Sequence, residues 1–185
     1  MPSLGTMKIT EKQLARAIYS TWDIEKALSA LTFLLEEADF NAKYHYVDLR
    51  RFKCYETTLI VSLARPFEAS RNGTTLSLKT LGVQLTSAEK ELLDKVMFLR
   101  RKIFAHSDEE EMHYRVSTFP VMDGKFNFPH FQFDEALSLE EYELLQIEIM
   151  LRRLKNEFAN FFFKLAQEQP LLLDEYKAPA SKKQT

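Results

Sequence analysis

The stretch LRRKIFAHSD, Leu99 to Asp108, sets three consecutive cations, Arg100, Arg101 and Lys102, ahead of an imidazole, His106. A guanidinium grips a carboxylate or phosphate through paired, charge-assisted hydrogen bonds. An imidazole titrates near neutral pH and can accept or donate a proton. The pattern therefore offers anion binding beside acid–base chemistry. An acidic run, Asp108 to Glu111, follows at once. Its carboxylates either favour the charged form of His106 and repel other anions, or supply Asp108 to orient the ring.

Whether these side chains meet depends on the helix that carries them. Thr86-x-x-Glu89 is a capping box, and Ala88, Leu92, Val96, Leu99 and Ile103 recur at helical spacing. This predicts a third helix reaching about Ala105. At 100° per residue, Arg100 falls roughly 80° and His106 roughly 40° from the centre of that stripe, with Arg101 nearly opposite. Arg100 and His106 then border one groove, Arg101 faces solvent and Lys102 flanks the exposed side. Plainer roles stand beside this one. His106 also suits capping of the last helix carbonyls, and Arg100 also suits a salt bridge to a neighbouring helix.

The remaining elements must hold that segment in place. Leu14, Ile18, Ile24, Leu28, Leu31 and Leu35 predict a first helix over about Glu11–Asp39, with Thr10 and Gln13 as its capping box. Phe52, Tyr55, Leu59 and Leu63 mark a second, over about Tyr44–Ser70, that Pro66 kinks or ends. Met112 to Glu135 reads as a hairpin, with strands at about His113–Val121 and Phe126–Phe133 around Asp123-Gly124. A lone ribbon is not stable in water, so this one is expected to lean on the helices. A last helix opens with Ser138-x-x-Glu141 and runs to about Gln167. Leu144, Ile147, Leu151, Leu154, Phe158, Phe161 and Leu165 form its stripe, widened by Leu145, Ile149 and Phe162, which predicts burial on two sides.

The expected fold is all-α: an antiparallel four-helix bundle with a small β-hairpin insert between helices three and four. One helical domain covers 8–170, the hairpin about 112–135, and a disordered C-terminal tail 171–185.

Bulk properties narrow the function. The chain of 185 residues is 45% hydrophobic, with a net charge of −2 and a pI near 6.1. That argues against coating nucleic acid through bulk charge, while leaving room for a local basic site. The one cysteine, Cys54, lies among Phe52, Tyr55 and Leu59 and is expected to be a buried thiol. With no disulfide framework and no Cys/His zinc spacing, a cytoplasmic protein without metal or other cofactor is expected. No secretory leader or membrane span is read. His45 near Asp48 lacks a third partner, Arg65 suits structural pairing, and His113 and His130 suit the surface.

Arg, four to six residues, then His at the end of a third helix resembles the signature of HEPN domains. Arg100-x5-His106 and Arg101-x4-His106 both satisfy it. The wider string from Leu99 to Asp108, and Tyr55–Arg65 followed by Pro66-Phe67, look like the AbiU2-like branch, where the matching arginine is Arg100. The resemblance covers about residues 11–168 by helix order. It departs at Arg101, where relatives commonly carry Asn or Asp. It implies metal-independent RNA cleavage by a homodimer whose two motifs line one cleft, in a toxin–antitoxin, stress or phage-defence setting. His106 is then the general base or acid. Arg100 holds the scissile phosphate, Arg101 or Lys102 holds flanking phosphates, and Asp108 orients the ring. The alternative is a non-catalytic helical module that binds an antitoxin, another protein or a nucleotide.

Overall fold

The structure, a computed structural model, describes residues 9–68, 74–104, 114–133 and 136–173. Within them the chain forms α1 (Glu11–Glu37), α2 (Tyr46–Ala64), α3 (Ser87–Leu99), β1 (Tyr114–Val121), β2 (Phe126–Phe133) and α4 (Glu141–Glu168). The protein is thus largely helical, with a two-stranded antiparallel hairpin before the last helix. None of the described helices is long and apolar enough to cross a membrane.

Helix boundaries follow from local chemistry. Thr10 and Gln13 close a capping box on α1, and Thr86 and Glu89 close one on α3, as the sequence predicts. α4 differs from its reading. Its N-cap is Glu140, whose N–H donates to the Glu143 carboxylate at 2.9 Å. Ser138 is engaged elsewhere: its N–H donates to Glu56 Oε1 at 2.6 Å, and its hydroxyl accepts from Lys53 Nζ at 2.8 Å. The buried Glu56 also accepts from Leu139 N at 2.8 Å and lies 2.8 Å from Lys53 Nζ. α2 therefore anchors the entry into α4.

α2 stops at Ala64, short of the expected Ser70, and tightens into a 3₁₀ turn over Arg65–Phe67. Pro66 has no N–H to continue the ladder. α3 is shorter than read as well. It ends at Leu99 and continues as a π-helical turn over Arg100–Phe104.

α1 packs against α2 and α4, and α3 packs against the same two helices. Leu31, Leu34, Phe52, Leu59, Leu63, Val96, Leu144, Ile147, Leu151 and Phe158 meet in the shared core. Each such side chain contributes about 1.5–3 kcal/mol on burial. The stripe read on α4 is buried throughout, although Leu145 and Ile149, which were expected to widen it, face solvent. The α1 stripe was off-centre. Ile18 is exposed, while Ala17, Ala27 and Ala30 are buried. Periodicity weighs large side chains, whereas close helix approach favours small ones. Cys54 is exposed rather than buried. It projects opposite Phe52 and Glu56, which face the core.

The N3 carboxylate of α3 and that of α4 are each held by the other helix. Arg153 of α4 grips both oxygens of Glu89 at 2.6 and 2.7 Å. Lys95 of α3 reaches both oxygens of Glu143 at 2.6 Å. Caps and tertiary ion pairs thus share the same side chains and fix α3 antiparallel to α4.

The ribbon departs most from expectation. Among the described residues neither strand contacts a helix. α3 and α4 keep exposed apolar side chains, among them Phe98, Leu145, Ile149 and Phe163, but neither strand packs on them. The ribbon's residues are exposed on both faces apart from the half-buried Val121.

Burial alone would raise the Glu89 carboxyl. Hydrogen bonds from Arg153 and from the Thr86 backbone and hydroxyl, with the guanidinium charge, instead hold it below its ordinary value. A lowered folded-state pKa adds stability that is full above the unfolded value of about 4.3 and lost as pH falls through the folded value. Glu89→Gln is expected to lower stability by about 1–2 kcal/mol at pH 7. Urea unfolding at falling pH should show the gap to the native chain closing below about pH 4. A gap independent of pH would contradict this role.

Candidate functional site

The end of α2 presents a chemical problem that the rest of the site solves. A helix terminus leaves carbonyls without intrahelical partners. Here Arg16, from the second turn of α1, supplies donors beside the Glu68 N–H, which donates to Arg65 O at 3.3 Å. The Arg16 guanidinium donates to Arg65 O, to Pro66 O at 3.3 Å and to Glu68 O at 3.1 Å. Pro66 O also accepts from Leu76 N at 2.7 Å. The turn at 65–68 is thereby tied to α1 and to the chain that returns toward α3.

Arg100 meets that turn from the other side. It opens the π turn after α3, and its Nη1 pairs with the Glu68 carboxylate. Both side chains are mostly covered, at 28% and 15% exposed. Arg100 Nε is buried and has no hydrogen-bond partner among the described residues. Arg65 turns toward α1, where its Nη1 lies 3.4 Å from Oδ1 of the buried Asp23. One turn of α1 holds Ser20, whose buried hydroxyl likewise has no partner among the described residues. Three guanidinium groups and two carboxylates thus gather around residues 65–68.

This arrangement sorts the candidates. Arg100 is at the shoulder of the buried face, as the helical projection placed it. The plainer expectation for it, a salt bridge to a neighbouring helix, is met in part: its partner Glu68 follows the 3₁₀ turn at the end of α2. Arg101 is exposed, and its Nε donates to Met97 O at 3.1 Å, closing the end of α3. Lys102 is exposed too. His106 and Asp108 lie outside the described residues. The projection used for His106 assumed α-helix as far as Ala105, and the π turn from Arg100 breaks that premise. Arg65 is structurally paired, as expected. His45 occupies the N-cap of α2 without a capping bond from its side chain and rests near Tyr46. Phe158 and Phe161 are buried in the core.

Sequence reasoning missed Glu68 and Arg16. Pro66 marked a helix end, and a helix end implies carbonyls in need of donors. Nothing in the sequence said that the donor would come from a position 50 residues earlier. Among the described residues no three His, Cys, Asp or Glu side chains gather as a metal site. In comparisons with known proteins, the chain has no significant match to a family model, a curated protein or a solved structure.

The geometry can bind an oxyanion where the Glu68 carboxylate now sits, because carboxylate and phosphate present similar acceptors to a guanidinium. Glu68→Gln is expected to bind inorganic phosphate roughly 3–10-fold more tightly than the native chain, and Arg100→Met to lose that binding. Isothermal titration calorimetry checks this. Equal affinity in the native and Gln forms would show that the two anions do not compete.

Proposed function

We propose that this chain is a metal-independent endoribonuclease of HEPN type, acting as a homodimer in a toxin–antitoxin or phage-defence setting. Arg100 and His106 form its catalytic pair. The observation that carries this reading is the position of Arg100. It opens a π turn at the end of the third helix, its charge rests on a carboxylate that a phosphate can replace, and one of its donors is unused among the described residues. π turns recur at functional sites. The cycle of helix contacts, α1 with α2 and α4, α3 with α2 and α4, also fits an antiparallel four-helix bundle of that type.

In this scheme His106 takes the proton of a ribose 2′-OH, or gives one to the leaving oxygen. The 2′ oxygen bonds to phosphorus as the bond to the 5′ oxygen breaks, giving a 2′,3′-cyclic phosphate and a free 5′-OH. Arg100 stabilises the extra charge on the phosphoryl oxygens. Arg101 and Lys102, both exposed, hold flanking phosphates, and Asp108 orients the imidazole.

A second reading keeps the fold and drops the chemistry: a helical module that binds a protein partner. It is favoured by Glu68, which neutralises Arg100, and by the exposed apolar side chains of the ribbon.

Incubation with a mixed RNA pool in EDTA separates the two. The native chain should cleave, and His106→Ala and Arg100→Ala should each lose about 100-fold or more in rate. A folded native chain that cleaves nothing, or an Arg100→Ala variant that cleaves normally, rejects the nuclease and leaves the binding module.

A further inference from the structure

We propose that the tip of the β1–β2 ribbon is a dimerisation arm that docks into the α1–α2 groove of a second copy of this chain, each copy exchanging its arm with the other. This stands whether or not the protein cleaves RNA.

The ribbon's register sorts its side chains into two faces. Tyr114, Val116, Phe131 and Phe133 share one face near the base. Phe119, Val121, Phe126 and Phe128 share the other near the tip, where Phe119 and Phe128 lie opposite one another with ring centroids 6.1 Å apart. The tip phenylalanines are about half exposed or more, and Met122 in the turn is 71% exposed. An apolar surface of this kind on an otherwise unstable two-stranded element marks an interaction site.

The prolines indicate how it interacts. Pro120 and Pro129 pair with Asn127 and Thr118. A proline cannot donate to the ladder, so these are non-hydrogen-bonded pairs, and the missing donors belong to the two outer edges. Strand addition at either edge is thereby discouraged, and the faces are left as the contact surfaces.

The same chain carries a receptor. Trp22, Ala30 and Phe33 of α1, with Tyr55 of α2, line an open groove of about 440 Å³. Trp22 is 60% exposed and Phe33 49%, and the Phe33–Tyr55 rings, 5.9 Å apart, form one wall. The rim charges are of both signs on each side, with Glu25 3.5 Å from Lys155 Nζ and Lys26 over the Trp22 ring. The turn carries Asp123 and Lys125, and the groove carries Lys26 and Glu25. One arm tip and its groove together cover roughly 800 Å², and a two-fold axis repeats the contact to reach the roughly 1,600 Å² of a stable interface. Reciprocal exchange also closes the assembly at two copies. RNA fits the ribbon less well, since Arg115 and Lys125 are offset by Asp123 and few phosphates could be neutralised.

Light scattering after size exclusion, on the full chain at micromolar concentration, tests this. The native chain should be a dimer. Phe119→Ser/Phe128→Ser and, separately, Trp22→Ser/Phe33→Ser should each weaken it roughly 100-fold or more, with native circular dichroism because all four side chains are already exposed. A mixture of the two variants should recover part of the dimer, since one intact arm then meets one intact groove. A monomeric native chain, a dimer indifferent to the arm variant, a dimer lost with the arm but not with the groove, or a dimer that forms only on addition of RNA would each overturn the proposal.

Discussion

The end of α2 at Pro66 is the constraint on which the site depends. The α-helix stops there, and the carbonyls at 65, 66 and 68 lie beyond its ladder. Arg16 donates to all three from α1, beside the Glu68 N–H on Arg65 O and the Leu76 N–H on Pro66 O, which ties the end of α2 to α1. With the turn fixed, Glu68 offers its carboxylate toward α3, and Arg100 closes on it. Electrostatics at the site therefore follow from backbone accounting. The arginine that reads as functional is positioned by one residue, Glu68, that is itself positioned by a helix end.

The far side of the core repeats this economy. Glu89 and Glu143 are helix-start residues, yet each is also half of an ion pair between α3 and α4. Buried Glu56 reaches from α2 to cap the chain entering α4. Polar groups that a helix must satisfy locally are thus used to set helix against helix. The core of leucines and phenylalanines supplies most of the stability, and these paired groups select one arrangement of it.

Much of the frame was legible in the sequence. The capping boxes at Thr10 and Thr86, the buried stripe of α4 and both strands around Asp123-Gly124 come from short-range chemistry that sequence spacing reports directly. Four features were not legible. The N-cap of α4 shifted from Ser138 to Glu140 because Glu56, distant in sequence, claimed the Ser138 N–H. The α1 stripe was misjudged because buried alanines carry little hydrophobic signal. The ribbon was expected to rest on helices, and no spacing rule reports that among the described residues it packs against none of them. At the site, Arg100 was legible from helical phase, whereas Glu68 and Arg16 depend on contacts between elements.

Glu68 holds Arg100 at the turn. A double-mutant cycle over Glu68→Gln and Arg100→Met, read by urea unfolding at neutral pH, measures it most directly. The expected coupling is about 1–3 kcal/mol, as for charged side chains in direct, largely covered contact. A coupling below about 0.3 kcal/mol, with both single variants folded, would mean that the two side chains act independently, and the site described here would lose its foundation.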